Sequence, residues 1–281
     1  MIQLSGSPFQ QSDMWPSNGI ESMIIRWMKE DPVVYSYSSI DELSFELELR
    51  KNILLSAVSM KRSSVQFAVF AKSRCNPRYW NLTDSGGFRL KEGVKPSEAI
   101  KDIYVNSSEY AFECAGAMVI IYYHAVLNVI GETSFNQLFP DIYIYSWHSD
   151  PDLGIHSTYI PNFLPGDVVY FENPDFDPTT PQWRGENAVV LGDGMFFGHG
   201  LGKRTAEQII TALNKRRNTG SNQSAYLSNL VTRPSFDDLM KFSMQSRESF
   251  VRKQPYIIIK HNETSISFNR YLSFLYAAYN Q

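Results

Sequence analysis

The chain has 281 residues, 43% of them hydrophobic and 14% aromatic, and a formal net charge of −3. That length accommodates one large domain or two small ones, with a sizeable core. A near-neutral balance without a basic stripe argues against a nucleic-acid partner, because displacing counterions from phosphate needs clustered lysine and arginine.

Residues 1–15 have neither a basic start nor an apolar run of signal length, so no secretory leader is expected. Residues 115–129 form the longest apolar run. It is interrupted by Tyr122, Tyr123, His124 and Asn128, which predicts a buried helix and no membrane partner. Two cysteines, Cys75 and Cys114, cannot build a disulfide scaffold, and free thiols in a reducing compartment are the simpler expectation. The Asn-x-Ser/Thr sequons at Asn81, Asn106, Asn222 and Asn262 then read as chance matches.

In chain order, residues 1–30 read as an irregular arm followed by a short helix at about 20–27. Ser39, with Glu42 three residues on, fits a capping box, and Leu43, Leu47, Leu54 and Val58 supply the apolar face of the helix it opens. Residues 65–71 and 78–82 read as strands, with the turn cluster 84–87 ahead of another strand at 88–90. Pro96 opens a short helix through Ile103. The main buried helix falls within 109–130 and is expected to stop at Gly131. Pro165, Gly166 and Asp167 turn the chain into a strand at 168–171. A hairpin runs over 186–200 around Gly192, Asp193 and Gly194, and Thr205 with Gln208 caps a helix over 205–217. Beyond Pro234 come another capped helix, a strand at 256–259 and an apolar segment at 271–279. This order predicts an α+β fold, an antiparallel sheet packed on helices, rather than alternating βαβ units. No repeat or low-complexity linker divides residues 1–281, which read as one domain with about 245–281 as a C-terminal extension of unassigned role.

Cys114 is the candidate nucleophile. Placed in the first turn of the main helix, its thiolate would gain from the positive helix end and from unpaired N–H groups, which could also donate to an oxyanion. Cysteine is equally a common small buried residue. Glu113 beside it would repel a thiolate, yet a carboxylate is stabilised at a helix start. In the hairpin, a two-residue loop at 192–193 puts Glu186 opposite His199, whereas a three-residue loop puts Asn187 there. Either register gives the imidazole a polar partner able to fix its tautomer. Gly198 and Gly200 leave the His199 ring open. His124 lies ten positions along the helix, about 15 Å from Cys114 by helical rise. His148, after Trp147, remains an alternative, and His156 and His261 lie in polar stretches. No spacing fits zinc, an EF-hand or a Walker loop, so neither metal nor cofactor is expected.

The strings 110–114 (YAFEC), 182–187 (QWRGEN) and 197–202 (FGHGLG), with 174–178 and 223–227, resemble the spore-coat protein-glutamine gamma-glutamyltransferases of endospore-forming bacilli. The resemblance spans roughly residues 30–233. It implies a papain-like core akin to the NlpC-type cysteine peptidases and a calcium-independent transglutaminase making ε-(γ-glutamyl)lysine crosslinks. It maps the nucleophile to Cys114, the acidic partner to Glu186 and the histidine to His199, with Glu113 able to assist. A hydrophobic tunnel would be lined by Phe67, Trp147, Tyr170 and Trp183. Implied partners are glutamine- and lysine-bearing proteins of the spore coat, met in the mother-cell cytoplasm and on the spore coat surface. Two competing readings are a papain-like peptidase or amidase on the same core and a non-catalytic coat protein. The extension at 245–281 departs from the short members of the family.

Overall fold

Over residues 114–127 the helix Cys114–Leu138 is apolar on nearly every side, and a helix of that kind must be enclosed by other elements. A computed structural model describes residues 1–10, 15–244 and 258–280. In it this helix packs along Ile40–Arg62, Pro96–Val105 and the six-stranded sheet. Met118, Val119, Ile120, Ile121, Tyr122 and Tyr123 are all fully buried. Gly131, with φ 76° and ψ 165°, breaks the helical backbone. The expected stop is therefore a kink, because the chain resumes a helical path to Leu138.

The sheet is antiparallel throughout, in the order Gly202–Thr205, Met195–Gly198, Gly185–Gly192, Val168–Glu172, Tyr226–Arg233 and His156–Tyr159. Both faces are covered. Val168, Val189 and Phe197 join the core around the long helix, while Val169, Ala188, Val190 and Phe196 pack with Ile209 and Leu213 of the helix Ala206–Asn214. Successive residues thus alternate between two cores. The capping box at Thr205 and Gln208 is present in full. At Ser39 only half of one forms: its hydroxyl accepts the Glu42 N–H, while the Glu42 carboxylate accepts from Ser38 instead.

Several expected elements differ. The N-terminal arm is ordered into a small sheet of Ile2–Leu4, Ser7–Pro8 and Tyr35–Tyr37. The strand expected at 65–71 shortens to Gln66–Phe67, because its partner Ala111–Phe112 ends where the Cys114 helix begins. Of the strand expected at 256–259, residues 256 and 257 lie outside the described residues, and Ile258 and Ile259 are not in a strand. The apolar segment at 271–279 belongs to the helix Phe268–Tyr279.

A buried charge cluster ties the second long helix to the sheet. Arg50 is fully buried and donates to Glu46 at 2.7 Å and to Asp167 at 2.9 Å; Asp167 also accepts from Arg233 at 2.8 Å. Asp167 stands at the turn that launches Val168–Glu172, so the cluster sets the height of the strand that carries Tyr170.

Candidate active site

Cys114 is the first residue of its helix and is completely buried. Glu113 is the N-cap. Its carboxylate accepts the Ala115 N–H at 2.8 Å and the Gly116 N–H. Two of the helix-end N–H groups expected to serve an oxyanion, those of Ala115 and Gly116, are therefore already taken by Glu113. Gly116 makes room for this cap, since a Cβ there would lie 3.2 Å from Glu113 Oε1. Burial pushes the Glu113 carboxyl up to about 7, against the pull of those N–H groups.

The sheet supplies the other side of the site. Ala188 pairs with Gly198 and Val189 with Phe197, so facing positions sum to 386. Of the two registers, this is the one that follows from a three-residue loop, though it is reached here by a two-residue turn and a bulge. Asp193 and Gly194 are the turn residues, both with positive φ as a primed hairpin turn requires. Gly192 faces Met195, and a register shift at Leu191 then moves the pairing by one. Carried past Gly198, this register puts Asn187, not Glu186, level with His199.

Strand alternation sends the two neighbours to opposite faces. Asn187, paired with Tyr170, donates from Nδ2 to Cys114 Sγ at 3.3 Å. Glu186 turns its carboxylate under the glycine loop and accepts the Gly200 N–H at 2.7 Å. Burial raises Glu186 to about 8, with the Gly200 and Leu201 N–H groups opposing. Burial also holds the Cys114 thiol well above the ordinary thiol range, and the charges of Glu186 and Glu113 add to this. At rest the sulfur keeps its proton.

His199 is half-buried. Its ring stacks on Phe112 at 4.8 Å between centroids, and Nε2 meets the Gln66 carbonyl at 3.2 Å, which assigns Nε2–H as the donor of a neutral ring. Burial depresses its pKa to about 4. Phe67 lies between this ring and Trp183, 6.0 Å from the first and 5.8 Å from the second. Arg216 covers Trp183 with its guanidinium carbon 4.0 Å from the ring. Phe67 and Trp183 thus flank the histidine side of the site.

Trp147 and Tyr170 stand on the other side, against the C-terminal segment. Trp147 Nε1 donates to the Ile266 carbonyl and Tyr170 hydroxyl to the Ser265 carbonyl, each at 2.9 Å. These contacts were not foreseen, since nothing in the composition of 258–280 ties it to Cys114. The other histidines lie elsewhere. His124 stacks on Tyr104 and pairs with Ser56, His148 is buried beside Tyr271, His156 is exposed and His261 stacks on Phe274 of the tail. Cys75 is buried and free.

The family model for protein-glutamine gamma-glutamyltransferase matches residues 1–243. The chain belongs to that family. A transglutaminase of this name from Halalkalibacterium halodurans is 47% identical over 275 residues, 98% of this chain and 97% of the relative. One from Bacillus mycoides is 43% identical over 226 residues, 80% of this chain and 82% of the relative. Among solved structures, a transglutaminase from Geobacillus stearothermophilus without its C-terminal extension superposes with a TM-score of 0.71 at 49% identity, covering 74% of this chain and 100% of that one. The transglutaminase fold is the mixed, papain-like one. The protein is an acyltransferase with protein substrates, while the segment 258–280 lies beyond the residues that the family model matches.

Proposed function

We propose that Cys114 is the nucleophile of a two-step acyl transfer that joins protein glutamine to protein lysine. The observation that carries this reading is a buried thiol at a helix start, with Asn187 on its sulfur and the carboxylates of Glu186 and Glu113 near enough to shift its titration. Glu186, held up to about 8, is matched to accept a proton from a thiol that ionises reluctantly. To His199, neutral at the rim with Nε2 on the Gln66 carbonyl, we assign the onward relay of that proton; among the described residues no hydrogen bond joins its ring to Cys114 or Glu186. Glu113 fixes the helix start and adds the charge that keeps the sulfur protonated until substrate arrives.

In the first step the sulfur bonds to the γ-carboxamide carbon, the thiol proton passes to the Glu186 and His199 side and on to the departing nitrogen, and ammonia leaves a thioester. In the second, a lysine amine displaces the sulfur, its spare proton returns to Cys114, and an ε-(γ-glutamyl)lysine isopeptide remains. Phe67, Trp147, Tyr170 and Trp183 form a dry aromatic lining that disfavours water as the acceptor. The route calls on no metal or cofactor. The likeness of the motif strings to the spore-coat enzymes supports coat proteins as substrates, with the mother-cell cytoplasm and the spore coat surface as the place of action.

Incubation with casein and a fluorescent primary amine tests the reaction. Amine incorporation that resists a chelator and disappears in Cys114→Ala is the expected result. Glutamine deamidation without incorporation would instead establish an amidase on the same core.

A further inference from the structure

The C-terminal segment lies against the residues around Cys114. Thr264, Ser265, Ile266 and Phe268 are buried. Ser265 has φ 56°, a left-handed conformation uncommon for a residue with a side chain. Its backbone is held at both ends: the Glu113 carboxylate takes its N–H and the Tyr170 hydroxyl donates to its carbonyl. Its side chain faces the Cys114 sulfur.

The next carbonyl is more informative. Ile266 O accepts from Asn187 Nδ2 and from Trp147 Nε1, each at 2.9 Å. The same Asn187 nitrogen is 3.3 Å from Cys114 Sγ. Two N–H donors therefore converge on one carbonyl oxygen beside the sulfur, which is the arrangement acyl transfer demands for its developing oxyanion. The helix start cannot serve that purpose with Ala115 and Gly116, since Glu113 holds both N–H groups.

We infer that residues 263–268 occupy the acyl-donor site as a stand-in for the glutamine-bearing substrate, that Asn187 and Trp147 hold the reacting carboxamide oxygen once this segment leaves, and that the site is closed while it stays. The inference rests on Cys114 being the nucleophile. Residues 258–280 contain no glutamine, so the segment fills the cleft without offering a γ-carboxamide to the sulfur. It is tied down by the Glu263 carboxylate, which pairs with Arg184 of the body and with Arg270 of the helix Phe268–Tyr279, and by Phe268 edge-on to Trp147 at 5.5 Å. The Tyr145 hydroxyl, donating to the His261 carbonyl, adds a third tie.

The test uses the full chain and two readouts. One is alkylation of Cys114 by iodoacetamide, separated from Cys75 by mass spectrometry; the other is amine incorporation into casein. Glu263→Ala removes the pairing to Arg184, and Phe268→Asp sets a charge against Trp147. Both are expected to speed alkylation at least tenfold and to raise incorporation with it. Adding Trp147→Phe or Asn187→Asp to a released variant should keep alkylation fast and lower kcat about 100-fold or more. Alkylation equally fast in the unaltered chain and both release variants overturns the closed site. An undiminished kcat in both double variants overturns the oxygen-holding role. Fast alkylation with no incorporation in any variant would mean that the transferase chemistry assigned to Cys114 is what fails.

Discussion

Glu186 presses its carboxylate so closely under Gly198 that a Cβ on that glycine would lie 2.3 Å from Oε1 and 2.6 Å from Cγ. Gly200 is nearly as constrained, with a Cβ there 3.0 Å from Glu186 Oε2 while its N–H donates to Oε1. The glycines flanking His199 thus admit a buried carboxylate as well as exposing a ring. Gly198→Ala must displace Glu186, and a drop in amine incorporation of at least tenfold is expected. A variant with unchanged kcat would show that the position of Glu186 does not matter to the reaction.

The two thiols should separate cleanly. Cys114→Ala is expected to abolish incorporation and formation of any covalent acyl-enzyme seen by mass spectrometry. Cys75, whose thiol burial raises to about 11, is expected to be dispensable, so Cys75→Ser should keep most of the activity. Loss of activity in Cys75→Ser with an intact melting transition would contradict the assignment.

The buried carboxylates make stability depend on pH. Folding raises Glu113 to about 7 and Glu186 to about 8 from an ordinary value of 4.5. Between pH 4.5 and 8 the folded chain holds protons that the unfolded chain has released, so stability falls as pH rises. Glu186→Gln removes its share of that penalty. Urea unfolding should show the variant gaining on the parent at pH 9, by a few kcal/mol at most, with no such gain at pH 4. Equal gains at both values would mean that ionisation is not the cause.

Arg50 is expected to be a stability residue with no part in chemistry. Arg50→Ala leaves Asp167 and Glu46 with fewer partners in the interior, and breaking a buried pair from one side costs about 3–5 kcal/mol. Urea unfolding measures this. A loss under about 1 kcal/mol would show that Arg233 alone satisfies Asp167.

The place of Cys114 in the first turn of the main helix was legible, because the longest apolar stretch of the chain begins directly after it. The work of Glu113 was not, since glutamate is an uncommon N-cap and its hold on two N–H groups appears only once the backbone is in place. The hairpin was readable as a hairpin, but the shift at Leu191 has no local signal, and one residue of slip changes which of Glu186 and Asn187 points at the sulfur. Of the four aromatic residues, Phe67 and Trp183 lie beside the His199 ring, and Trp147 and Tyr170 lie against the carbonyls of Ile266 and Ser265. The C-terminal segment was the least legible part, because its contacts are carbonyl oxygens held by distant side chains and any residue supplies a carbonyl.

The apolar character of Cys114–Leu138 bears on how the enzyme dies on heating. By length and hydropathy the helix would suit a lipid bilayer, and only the surrounding protein keeps it from water. Once the sheet and the flanking helices separate, this strip is exposed and is expected to coalesce with its counterparts. Thermal inactivation should accordingly be irreversible and governed by a rate, with an apparent midpoint that climbs as the scan is made faster.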